Sequence, residues 1–253
     1  MPRRSDLRAA FRERTAAGPG PLLLGHRGLN TVAPENTLAA FEAAVRQGAD
    51  GVELDVRPCA TGELVVMHDP TLARTGGGDP SRVAQLSRTA LEARRLDGGH
   101  HIPTLDDVLA LGRDLDMVVN IELKRDVPQR RQATTTLARR LHRHGLPPVV
   151  VVSSFDPLML AAFRRQADHV PTALIVTSRL GAHLFARLGA DAVHPSRELV
   201  SARVVARAHA QRRRVAVWTV NDPDEAAHLA RLGVDAVITD DPARVRAAMT
   251  VSC

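Results

Sequence analysis

The chain has no tyrosine, one tryptophan (Trp218), one lysine (Lys124), five phenylalanines and two cysteines. Aromatics at 2% of 253 residues leave no platform on which nucleic-acid bases could stack. The net charge of +6 rests on arginines scattered through stretches such as LARRLHRHG and RAHAQRRR, not gathered in a reader motif, so no nucleic-acid partner is expected. Cys59 and Cys253 form neither a disulfide framework nor a metal-binding spacing, which fits a reducing compartment. The basic start, MPRRSDLRAAFRERT, is not followed by the apolar run of a secretory signal, and no stretch is apolar enough to span a bilayer. A cytoplasmic location without a membrane anchor is therefore expected; oligomeric state is not legible. Two further motifs are missing. There is no Gly-x-x-x-x-Gly-Lys-Ser/Thr loop for nucleoside triphosphates and no Gly-x-Ser-x-Gly elbow for a serine triad.

Aliphatic runs alternating with amphipathic segments are plentiful. LLLG (22–25), GVELDV (51–56), MVVNIEL (117–123), VVVVSS (149–154), TALIV (172–176), DAVHP (191–195), RVAVWTV (214–220) and DAVITD (235–240) read as strands. Each is followed by a stretch of helical period, several opened by Thr or Asp-Pro and closed by Gly. Eight such units predict a (β/α)8 TIM barrel over residues 21–253, preceded by an N-terminal arm, residues 1–20, helical from Ser5 to Thr15. One strand is left over. LVVMHD (64–69) follows GVELDVRP too closely for a parallel crossover, so the two predict an antiparallel hairpin arm over about 52–69. A turn centred near Ala60 and Thr61 sets His68 opposite Glu53.

Alternate strand residues share a face, so Glu53 and Asp55 point together, as do Asn120, Glu122 and Lys124. Turning these carboxylates toward the helices would bury charge in the apolar layer, at several kcal/mol per ion. They are expected inside the barrel at its C-terminal mouth, where this fold carries its active sites. Three converging carboxylates need a cation or protons, and an all-oxygen set favours Mg²⁺ or Ca²⁺. Salt bridges to Arg27, Arg57 and Lys124 are the competing reading. His26 and His68 each follow a strand directly and make a candidate general acid and base; one of them could instead merely partner a carboxylate. Arg27 offers bidentate hydrogen bonds to phosphate, and the only lysine shares a face with Glu122. Trp218 either walls the pocket or fills core. Glu35 either braces Arg27 or satisfies the free amides of the first barrel helix. Together these groups form a kit for attack at phosphorus.

The stretches GHRG, APENTLAAF, GADGVELDV, VVMHDPTLARTG, IPTLDDVL, NIELK, VVSSFDP and VWTVNDPDEAAHLARLGVDAVITDDP, in this order, resemble the glycerophosphodiester phosphodiesterase family. The resemblance implies a metal-dependent phosphodiesterase on a TIM barrel, yielding sn-glycerol 3-phosphate and an alcohol. It implies His26 and His68 as the catalytic pair, and Glu53, Asp55 and Glu122 as ligands of one Mg²⁺ or Ca²⁺. Arg27 and Lys124 would meet phosphate, with Phe155 and Trp218 lining the glycerol or alcohol side. The hairpin turn reads CATGE where the family often has Thr-x-Asp-Gly, and the short GGGDPS loop argues for small soluble diesters over an extended lipid cap. Two alternatives stay open. One is a phospholipase D-like hydrolase or lyase acting on lysophospholipids; the other is a non-catalytic binder of anionic phosphodiester metabolites.

Overall fold

The structure, a computed structural model, describes residues 6–16, 20–143, 146–178 and 189–250. In chain order the strands are β1 (Leu22–His26), β2 (Gly51–Pro58), β3 (Leu64–Val66), β4 (Val118–Leu123), β5 (Val149–Ser154), β6 (Thr172–Val176), β7 (Ala192–Pro195), β8 (Arg214–Val217) and β9 (Ala236–Thr239). All but β3 pair in parallel, and the β1–β2 and β1–β9 contacts close them into an eight-stranded barrel. Strands buried on both faces explain why VVVVSS and TALIV are continuous apolar runs with no alternation.

Several helix caps follow from the sequence. Thr37 receives the Ala40 amide at the start of α2 (Leu38–Arg46), and Thr104 forms a reciprocal capping box with Asp107 at the helix Leu105–Asp114. Asp156-Pro157 and Asp222-Pro223 open the helices Pro157–Gln166 and Pro223–Arg231, each Asp accepting from backbone amides two or three residues on. The helix expected after β6 falls on residues 179–188, outside the described residues.

Two apolar layers result. Val52, Leu54 and Val56 of β2 and Val119, Ile121 and Leu123 of β4 face the helices. The barrel interior is lined by small side chains, among them Ala173, Ala192, Ala216 and Ala236, with Leu22, Leu24, Val118, Val149 and Val151. The first helix, α1 (Asp6–Ala16), packs against this inner layer through buried Phe11. Arg14 reaches Asp116 and Arg8 reaches Asp191, which fasten α1 to the N-terminal end of the barrel.

β3 pairs antiparallel with β2, but one residue out of the expected register: Val56 opposes Val66 and Pro58 opposes Leu64, so the turn centres on Thr61. Gly62 adopts φ 92° and the Cys59 amide donates to the Glu63 carbonyl, closing a three-residue loop. An odd loop with its last residue left-handed moves the register by one. Ladder bonding ends where the Met67 amide meets the Asp55 carbonyl, so His68 leaves the ladder and turns into the mouth without facing Glu53 across it. The excursion that follows covers the hairpin with its own apolar cluster of Met67, Leu72, Val83, Leu91 and Leu96.

Candidate active site

Register sets the site's rows. His26, Glu53 and Asn120 are neighbours across β1, β2 and β4, and Asp55, Glu122 and Ser153 form the next row toward the mouth. Glu53, Asp55 and Glu122 are 5%, 1% and 8% exposed, inside the barrel, and ligand oxygens from all three lie within 4.8 Å of one another. Glu53 and Glu122, with Asp55 beside them, share a cavity also lined by His26, Arg27, His68, Lys124, Phe155 and Trp218. The structure thus brings every residue expected of the site to one mouth.

Arg27 reaches it by an unusual backbone. Its φ is 58°, its amide donates to the Glu53 carbonyl, and its own carbonyl accepts the Asn36 amide. A left-handed non-glycine residue costs energy that its surroundings must offset, a condition common at functional sites. Gly28 completes the turn at φ 86°, where a Cβ would lie 2.6 Å from the Ala40 carbonyl carbon. Only glycine lets α2 pack this close to the strand end.

The cations only partly neutralise the carboxylates. Lys124 Nζ lies 2.8 Å from Glu122 and 3.2 Å from Asp55, and Arg27 Nε lies 3.3 Å from the other Asp55 oxygen. Asn36 donates to Asp55 at 2.9 Å. Glu53 has no such partner, and its Oε2 is buried without a hydrogen bond. Burial, then the charge of Asp55, push the Glu53 pKa up to about 8. Burial and Asp55 also raise Glu122. Burial would raise Asp55 too, but Lys124 and Arg27 outweigh it and hold its carboxyl below the usual range. Salt bridges therefore account for Asp55 and Glu122 but leave Glu53 with no ion pair among the described residues and only partial relief from the charges of His26 and Arg27, the condition a bound dication or a retained proton relieves. The donor set, three carboxylates without sulfur or imidazole among the clustered ligands, fits a hard cation. Arg57 is not part of this balance; it donates twice to the His68 carbonyl and pairs with Asp126.

Each histidine has a carboxylate behind it. His26 Nδ1 lies 2.8 Å from Asp240 Oδ1, and Asp240 accepts from the Asn221 side chain at 2.7 Å. His68 Nδ1 lies 2.7 Å from Asp69 Oδ1, whose second oxygen accepts from Arg74 Nε at 2.6 Å. Burial would lower the His26 pKa, but the Asp240 hydrogen bond and the Glu53 charge more than offset it, so it is raised. His68 is lowered, chiefly by burial and by Lys124, against the pull of Asp55 and Asp69. Asp240, Asp69, Asn36 and Arg74 escape sequence reading, although Asp240 ends a strand as Glu53 and Asp55 do and Asp69 adjoins His68. Trp218 stands at the mouth, donating through Nε1 to the His194 carbonyl and meeting Phe155 edge-to-face at 5.6 Å, while Arg125 lies over the Phe155 ring.

A closed (β/α)8 barrel whose mouth gathers three carboxylates, two cations and two carboxylate-backed imidazoles defines an α/β-barrel phosphodiester hydrolase. Residues 26–244 match the Glycerophosphoryl diester phosphodiesterase family, and the chain belongs to it. A glycerophosphodiester phosphodiesterase of Caldanaerobacter subterraneus subsp. tengcongensis is 33% identical over 232 residues, 87% of this chain and 94% of the relative. Among solved structures, the glycerophosphodiester phosphodiesterase from Agrobacterium tumefaciens matches 90% of this chain and 99% of its own, at TM-score 0.78 and 26% identity. An Oleispira antarctica phosphodiesterase, in complex with the product sn-glycerol-3-phosphate, superposes at TM-score 0.82 and 24% identity over 91% of this chain and 97% of its own. No helix among the described residues is long and apolar enough to cross a membrane.

Proposed function

We propose that this chain hydrolyses small, water-soluble glycerophosphodiesters to sn-glycerol 3-phosphate and an alcohol, using one Mg²⁺ or Ca²⁺ at Glu53, Asp55 and Glu122 and the histidines His26 and His68 as acid and base. The observation that carries the reading is the buried Glu53, its Oε2 without a hydrogen bond, beside Asp55 and Glu122 at a mouth flanked by two carboxylate-backed imidazoles. When bound, a dication there supplies Lewis-acid charge to a phosphoryl oxygen. Arg27 and Lys124 add positive charge around the phosphate as it accumulates negative charge in the transition state. Phe155 and Trp218 form an apolar wall for the carbon side of the substrate.

The two carboxylates behind the histidines divide the proton work. Asp240 faces a neutral amide, so its charge is available to hold a proton on His26; burial and the charge of Lys124 outweigh Asp55 and Asp69 and leave His68 the weaker base. Both imidazoles keep Nδ1 on their carboxylate, so Nε2 is the nitrogen free to reach substrate. His68 takes the proton of the attacking oxygen, the P–O bond to the alcohol breaks, and His26 gives its proton to the departing alkoxide. The attacking oxygen is that of water, or a glycerol hydroxyl; in the second case the cyclic ester is hydrolysed in a further step, in which His26, now neutral, takes a proton from water and His68 returns its proton to the glycerol oxygen as that P–O bond breaks.

The test is a panel of glycerophosphocholine, glycerophosphoethanolamine and micellar lysophosphatidylcholine, run after chelation and re-addition of each metal. The expected result is sn-glycerol 3-phosphate released from the soluble diesters, lost on chelation and restored by one of the two ions. Faster turnover of the micellar lipid would point to the lysophospholipid reading. Saturable diester binding without turnover by metal-loaded protein would point to a binder.

A further inference from the structure

One side chain bridges the two flanks of the mouth without entering it. Arg74 sits on the turn after β3, and its guanidinium is shared between two carboxylates. Nε donates to Asp69 Oδ2 at 2.6 Å, while Nη1 and Nη2 donate to the two oxygens of Glu35 at 2.8 and 2.7 Å. The other oxygen of Asp69 holds His68 Nδ1 at 2.7 Å. On the far side, Glu35 Oε1 also accepts from Arg27 Nη1 at 3.1 Å, and Arg27 Nε faces Asp55. The groups therefore run in series, His68–Asp69–Arg74–Glu35–Arg27–Asp55, alternating in sign from Asp69 onward.

The turn bearing Arg74 is held in place. Leu72 and Thr75 on either side are buried, the Gly76 amide donates to the Leu72 carbonyl, and the Asp97 amide donates to the Thr75 carbonyl. A fork–fork arginine–carboxylate pair fixes angle as well as distance, which a lysine ammonium cannot do. Glu35 is only 13% exposed at its side chain, so its interaction with the two guanidiniums is poorly screened. Neither Arg74 nor Glu35 lines the cavity shared by the carboxylates and the histidines.

We propose that Arg74 and Glu35 are positioning residues that join the His68 imidazole and the Arg27 guanidinium into one rigid unit, so that proton acceptor and phosphate clamp are set by the same bridge. The inference rests on the roles given above to His68 and Arg27. If Arg74 is lost, Glu35 is left to draw on Arg27 alone and Asp69 is free to swing with His68. Both flanks then lose their mutual angle although neither touches substrate through the bridge.

The test is a double-mutant cycle on release of sn-glycerol 3-phosphate by the full chain, with R74A, E35Q, the double variant and R74K, and H68A in parallel. Expected is a roughly 10- to 100-fold loss of kcat for R74A and for E35Q, the range typical when a supporting partner of a site group is removed. KM should stay within about threefold, and the double variant should be no worse than the poorer single, because both cut one bridge. R74K should recover part of the loss, and guanidinium ion added to R74A should recover more than added ammonium. Arg74 is about half exposed at its side chain, so unfolding midpoints are expected to stay near that of the parent; if R74A fails to fold, R74K and E35Q complete the comparison. Losses that multiply in the double variant, a kcat unchanged in R74A, or a loss confined to KM would overturn the proposal. Should H68A keep full turnover, the acid–base reading itself falls and takes the proposal with it; loss in H68A with an unaffected R74A defeats the bridge alone.

Discussion

In the proposed mechanism the two histidines take opposite roles, and their surroundings move them in opposite directions. Against burial, the Asp240 hydrogen bond and the Glu53 charge raise the His26 pKa, while burial and the charge of Lys124 lower that of His68 despite Asp55 and Asp69. The sign of the pH dependence follows. His68 must be neutral to accept a proton, so activity falls on the acid side as it protonates below its lowered pKa. His26 must be protonated to donate, so activity falls on the alkaline side above its raised pKa. Asp240→Asn removes the carboxylate that raises His26. The alkaline limb of kcat/KM should therefore shift to lower pH while the acid limb stays in place, with a loss of about 10- to 100-fold at neutral pH. A pH–rate profile of this variant beside the parent reads both limbs. An alkaline limb that does not move would remove His26 from the acid role.

At the scale of elements, the barrel was legible because its strands are buried on both faces and its helices carry their caps in sequence. The rows of the site were legible for the same reason: a period of two sends Glu53 and Asp55 inward once Val52, Leu54 and Val56 are known to face helices. Three things were not. The hairpin register hung on whether Gly62 takes a left-handed φ, a local choice that shifts every pairing by one. The braces at Asp69, Arg74 and Asp240 depend on side chains meeting across 5 to 214 positions of sequence, which no local pattern reports. The contribution of α1 was hidden because a single Phe in an arginine-rich stretch carries no amphipathic signature. Phe11 is nonetheless buried among the inner-layer residues Leu22, Leu24 and Val151. Phe11→Ala should cost about 3–5 kcal/mol of stability, as for other large buried aromatics, and lower the thermal midpoint with little change in kcat below it. Denaturant unfolding with a parallel activity assay checks this; an unchanged midpoint would show that α1 does not support the barrel.

On the scale of the whole molecule, the barrel's closed sheet holds in place a cluster that is unfavourable on its own. Three carboxylates converge within 4.8 Å against two cations, and Glu53 Oε2 is buried without a hydrogen bond. Such a site weakens the fold unless something occupies it, so function and stability are linked through the same residues. The sign follows from Glu53, whose pKa rises from an ordinary 4.5 to about 8 in the folded chain. Between those values the unfolded chain has released the proton that the folded chain keeps, so stability falls as pH rises across that window. A bound dication removes the need for the proton and should abolish the fall.

The most direct test is the thermal midpoint of chelated protein from pH 5 to 8, repeated with added Mg²⁺ or Ca²⁺ and with Glu53→Gln. The account predicts a midpoint that drops with pH in the chelated parent, is restored by the ion that restores release of sn-glycerol 3-phosphate over the same concentration range, and falls less with pH and gains less from the ion in Glu53→Gln. A chelated parent that holds its midpoint and its turnover at pH 8, indifferent to either ion, would contradict it.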